Sequence, residues 1–269
     1  MNTLPLIILA AALYLFAAGW WGFKAYRPGA DTGALKLQLI VLGTLALALH
    51  AAVIYHTVIT GAGWNLGFFN ALSLMSWAIA LLVIIVATFR PVENLALVFL
   101  PAAAAGIILE HLFPTRYIVV DRPELGLRIH IFLSIIAYGL LAIAAMQGIV
   151  LTFQERLLRD KRPVQAMRIL PPLQTMEDLM VQILAIGFFL LSLSLVTGLM
   201  FVDNIMEQHL YHMILSILAW VIFGLVLLGR WAWGWRGRRL ILWTLSAFMI
   251  MAVGYFGSKL VLELLMHRT

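Results

Sequence analysis

The stretch Ala71-Leu72-Ser73-Leu74-Met75-Ser76-Trp77-Ala78-Ile79-Ala80-Leu81-Leu82-Val83-Ile84-Ile85-Val86-Ala87-Thr88-Phe89 contains no ionisable side chain. As a helix rising 1.5 Å per residue it spans about 28 Å, close to the thickness of a hydrocarbon core. A backbone inside lipid must satisfy its own hydrogen bonds, so this run reads as a transmembrane helix. Similar runs recur along the whole chain, and the expected spans are 4–24, 37–60, 71–89, 94–113, 129–153, 180–202, 209–229 and 240–266. Of 269 residues, 64% are hydrophobic and 11% charged, which is more apolar surface than a water-soluble globule can bury. The expected fold is therefore all-α: a polytopic transmembrane helical bundle of about eight spans. Residues 1–269 form one transmembrane domain, with no repeat and no soluble domain of any size.

The first run has no basic residue ahead of it and no small-residue cleavage site, so it reads as a retained helix rather than a signal peptide. Basic residues concentrate after spans one, three, five and seven, among them Lys24, Arg90, Arg159 and Arg236. The opposite loops carry only Arg116, Arg122 and Arg128, with Arg268 near the end. Cytoplasmic loops are the basic ones, so both termini are expected outside. The formal charge of +6 is then accounted for by anchoring to anionic lipid, and no nucleic-acid partner is implied. With no cysteine, disulfides, thiolate metal sites and thiol redox chemistry are excluded.

Two polar stretches stand out. In 154–178, Pro163 and the Pro171-Pro172 pair break a basic linker, and Thr175-Met176-Glu177-Asp178 reads as a helix cap with early acidic residues. The outward loop from Pro114 to Arg128 carries Tyr117-Ile118-Val119-Val120, a candidate short strand or pocket cover. Lys259 and Glu263, four residues apart inside span eight, read first as a structural ion pair.

No nucleotide, phosphate or nucleophile motif is present, and the histidines carry the chemical information. His56, His111, His130, His209, His212 and His267 all fall near the outer ends of spans, and His50 lies about 9 Å deeper than His56. Histidine tolerates the membrane interface, which is the plain explanation for any one of them. As a set they suggest metal ligation, since two neutral imidazoles from facing helices can hold haem iron from both sides. Zinc is the competing metal, but no carboxylate stands three or four residues from His130. Arg116, Arg122 and Arg128 are suited to propionates, or to salt bridges with Asp121 and Glu124. Trp64, beside Gly61-Ala62-Gly63, is placed either to lean on a macrocycle or to mark the interface; Trp231, Trp233 and Trp235 form an ordinary aromatic belt.

Several stretches together resemble a family. They are Ile217-Leu218-Ala219-Trp220-Val221-Ile222-Phe223, Gly234-Trp235-Arg236-Gly237-Arg238, Tyr255-Phe256-Gly257, Asn70-Ala71-Leu72-Ser73, and Leu170-Pro171-Pro172-Leu173 followed by Glu177. With His130 leading the Gly139–Gly148 helix, the chain resembles the cytochrome c assembly membrane proteins of the CcsA/ResC/HemX type, in their short YpjD-type branch. That resemblance implies a multi-pass protein of the bacterial inner membrane that handles haem b. By position, His130 matches the first outer haem-ligating histidine, His267 stands one residue from the second, and His50 resembles the intramembrane ligand of span two. The tryptophan-rich outer segment of the haem-attaching enzymes is missing, and Glu207-Gln208-His209-Leu210-Tyr211-His212 takes its place. The partner expected for His50 is also replaced, around Leu228-Gly229.

The expectation is thus a haem-binding membrane protein with a bis-histidine site near the outer face, in which His130 pairs with His267 or His212 and complete haem-attachment activity is doubtful. Its expected partners are membrane lipid and another membrane protein of cytochrome biogenesis or transport. The alternative is a non-catalytic accessory or regulatory subunit, of haem synthesis or cation transport, that has lost the cofactor.

Overall fold

The computed structural model describes residues 3–25, 27, 29–60, 63–114, 124–159, 171–201 and 210–257. Within them run α1 (Leu4–Ala25), α2 (Thr32–Thr57), β1 (Ile59–Thr60), β2 (Gly63–Trp64), α3 (Phe68–Phe89), α4 (Ala96–Leu112), α5 (Leu125–Arg159), α6 (Leu173–Phe201), α7 (Leu210–Trp233) and α8 (Gly237–Ala252). A 3-10 turn, Glu93–Leu95, leads into α4, and a π-helical turn, Val253–Gly257, extends α8. Among the described residues, eight helical segments are long and apolar enough to cross a membrane, in the expected order. Large apolar side chains such as Phe89, Phe132 and Leu199 remain exposed, as lipid-facing positions should be.

The helices cluster into two units, α1–α4 and α5–α8. In the first, α1 packs on α2 and α4, and α3 packs on α4 and α2. Asp31 caps α2, its carboxylate accepting from the amides of Gly33 and Ala34, which starts this helix five residues before the expected boundary. At the same end Lys36 pairs with Glu93 at 2.8 Å. At the other end, Ile59–Thr60 and Gly63–Trp64 pair as a small antiparallel hairpin, Ile59 opposite Trp64.

In the second unit α5 lies along α6, α7 packs on α6 and α8, and α8 returns to α5. The α5 stretch Ala137–Ala145 is rich in small residues and buried, which allows close backbone approach where lipid gives no hydrophobic drive for helices to associate. At 35 residues α5 is about 52 Å long, so it must project beyond the hydrocarbon, ending with Arg156 and Arg159 in its last turn. The expected cap at Thr175 is corrected: α6 starts at Leu173, directly after the prolines, and the Met176 amide already donates to the Pro172 carbonyl. Glu177 and Asp178 instead receive Arg230 of α7, at 2.9 and 2.6 Å. Glu177 also accepts from the Gly237 amide at 2.7 Å, where φ is +56°, a backbone that disfavours a side chain.

Candidate functional site

His130 lies in the second turn of α5, half-buried against α6. Its Nδ1 is 2.9 Å from the Ser194 carbonyl and 3.3 Å from Thr197 Oγ1. A carbonyl can only accept, so Nδ1 carries the hydrogen and the lone pair of the neutral ring sits on Nε2. A histidine that ligates a metal usually donates its other N–H to a carbonyl in this way. Ser134, one turn on, donates to the His130 carbonyl at 2.7 Å and meets Ser194 Oγ at 2.6 Å, so two hydroxyls brace the same crossing. Gly198 lets the ring approach: a Cβ there would stand 2.9 Å from His130 Cε1.

His212, in the first turn of α7, packs its ring 5.5 Å from that of Tyr255, which is 6.1 Å from Tyr138 on α5. Tyr138 lies on the His130 stripe of α5, eight residues or about 12 Å along it. Ring contacts therefore tie His212 to Tyr138. Arg128 is exposed; two positions from His130, it projects from a different side of the helix. Trp64 belongs to the hairpin of the first unit. His209, His267, Arg116, Arg122 and the Lys259–Glu263 pair lie outside the described residues, as does the candidate strand at Tyr117–Val120. Among the described residues, no three His, Asp or Glu side chains converge as a metal cluster.

His50 has a different setting. It is fully buried, with Nδ1 3.3 Å from the Tyr14 hydroxyl and Nε2 2.9 Å from Ser73 Oγ, so both ring nitrogens are engaged within the protein. Tyr14, Ser73, Asn70 and Glu110 are buried in the same unit, and none was singled out as a site residue by sequence reasoning. Glu110 carried a signal in sequence: it is the one carboxylate within the apolar segment Ala96–Leu112, where an ionisable group is costly. His56 and His111 are exposed at the ends of α2 and α4.

The cytochrome c assembly protein family matches residues 39–266 of this chain. Inner membrane protein YpjD of Escherichia coli strain K12 is 30% identical over 236 residues, covering 87% of this chain and 89% of that protein. An uncharacterized 28.8 kDa protein of Azospirillum brasilense is 26% identical over 248 residues, covering 90% of this chain and 92% of its own length. No solved structure matches. A match over most of the length, joined to eight membrane-spanning helices in the expected order, makes this multi-pass inner-membrane chain a member of the cytochrome c assembly protein family.

Proposed function

We propose that this protein binds haem b in the membrane, and that His130 and a second histidine, His212 or His267, would hold its iron. The observation that carries this reading is the Nδ1–H bond of His130 to the Ser194 carbonyl, which keeps the Nε2 lone pair for a metal and restrains the ring. Haem, when bound, supplies an iron that can be held by two neutral imidazoles without adding ligand charge in a low-dielectric site. The chain's own contribution is to hold the His130 ring between α5 and α6. The charge asymmetry of the loops supports an outer position for this end of α5, where apocytochromes are met. A second reading, an accessory subunit without the cofactor, is favoured by one observation: both nitrogens of His50 are already hydrogen-bonded to Tyr14 and Ser73.

The absorption spectrum of the purified protein, as isolated and after haem titration, separates the two. The haem reading expects a low-spin Soret band in the wild type that is lost or strongly weakened in His130→Ala, and in either His212→Ala or His267→Ala. Wild-type protein without specific haem binding, or a His130→Ala variant that binds as well, leaves the accessory-subunit reading.

A further inference from the structure

Glu110 sits in the last turn of α4 and is only 4% exposed. Its carboxyl group lies beside the hydroxyls of Ser73 on α3 and Thr57 on α2. Neither of its oxygens is in hydrogen-bonding geometry with a described residue. A carboxylate this deep cannot stay both charged and unpartnered, so it either holds a proton or draws a donor. Of the two neighbouring hydroxyls, Thr57 commits its hydrogen to the Val53 carbonyl at 3.0 Å. Ser73 is therefore the one that can donate. It also touches His50 Nε2 at 2.9 Å, and His50 Nδ1 touches Tyr14. The four groups follow one another inward from the end of the unit where α2 and α4 stop and α3 begins.

We propose that Glu110 is a proton-exchange site buried among α2, α3 and α4, and that Ser73 transmits its protonation state to His50, selecting which ring nitrogen carries the hydrogen. Each hydroxyl has one hydrogen, and this makes the chain directional. When Glu110 is ionised, Ser73 gives its hydrogen to the carboxylate, the stronger charge-assisted acceptor, and must accept from His50 Nε2–H. His50 Nδ1 then accepts from the Tyr14 hydroxyl. When Glu110 is protonated, its O–H donates to Ser73 Oγ and the Ser73 hydrogen turns to His50 Nε2. The Nδ1–H now donates to Tyr14. Ionisation thus breaks one O–H bond at Glu110, whose proton leaves to water. In the ring the Nδ1 hydrogen is released to water and one is taken up from water at Nε2, so His50 stays neutral and nothing is oxidised or reduced.

Few other titratable groups face Glu110. His111 follows it on α4 and is exposed; His56, on α2, is exposed and stacked edge-on with Tyr55. Among the described residues, Tyr14 of α1 joins this cluster through His50, and α3 contributes the neutral Ser73, Asn70 and Ser76. Lys36 and Glu93 pair with each other at the opposite end of the unit.

The test uses the full chain in lipid nanodiscs, with infrared spectroscopy for the carboxylic-acid C=O band and 15N NMR for the histidine rings, across a pH titration. In wild type, the band assigned by its loss in Glu110→Gln disappears as pH rises, and His50 passes from the Nδ1–H to the Nε2–H tautomer over the same interval. Glu110→Gln, whose amide does not titrate, holds His50 in a single tautomer at every pH. Ser73→Ala leaves the Glu110 band titrating but abolishes the tautomer switch. A C=O band absent or constant throughout, a wild-type tautomer indifferent to pH, or a switch that survives Glu110→Gln or Ser73→Ala overturns the proposal. The His50 tautomer in the wild-type titration, which needs no variant for its reading, decides even if a variant fails to fold.

Discussion

Gly198→Ala should dislodge His130 from the position it holds against α6. The added Cβ would stand 2.9 Å from His130 Cε1 and 3.3 Å from Nδ1, where ordinary contact needs 3.4 Å or more. Relief by half an ångström or more must come from the ring, because Gly198 is held in the backbone of α6. The bond most exposed to that shift is Nδ1–H to the Ser194 carbonyl, now 2.9 Å. Overpacking of this kind costs about 1–3 kcal/mol. If haem binds through His130, that strain lowers haem affinity by about 5- to 150-fold, taking about 1.4 kcal/mol per factor of ten. The assay is haem titration of wild type and variant, with thermal unfolding in detergent and 15N shifts of the His130 ring measured alongside. An unchanged ring signal together with an unchanged melting midpoint would refute the claim that Gly198 seats the imidazole, whatever the haem result. A moved ring with unchanged haem affinity would instead detach His130 from haem.

Arg230→Ala removes a mostly buried guanidinium that holds Glu177, Asp178 and the Trp235 carbonyl, leaving Glu177 with the Gly237 amide and the longer 3.4 Å contact to exposed Arg236. Breaking such a pair from one side costs about 3–5 kcal/mol in a dry interior, less here because Asp178 is half exposed. Adding Glu177→Gln should recover part of the loss in detergent melting curves; a double variant no more stable than Arg230→Ala would contradict this account. Lys36→Ala leaves the buried Glu93 carboxylate without its 2.8 Å cation and should cost about 1–3 kcal/mol by the same assay. A periplasmic-activity reporter fused after Thr269 should be exported and one inserted at Arg159 retained, and finding both on one side would undo the outward placement of the termini.

The eight spans and their order were legible in the sequence because membrane helices are decided locally. A backbone in lipid bonds to itself within four residues, so a run such as Ala71–Phe89 declares its structure without reference to the rest of the chain. Asp31 and Pro171-Pro172 shifted helix starts by a few residues, which hydropathy alone does not resolve. His130 could be selected from its position and family resemblance, yet its tautomer depends on a carbonyl 64 residues away. His50 stood out by depth; its two partners come from α1 and α3, at separations of 36 and 23 residues. Glu110 was visible as a carboxylate in an apolar run but pointed to nothing until α4 was packed against α3. In sequence each polar residue reports only the cost of burying it. Which helices adjoin is set by the packing of small residues and side-chain shapes over long separations, and that tertiary choice turned isolated polar residues into a braced imidazole on α5 and a hydrogen-bonded cluster in the first unit.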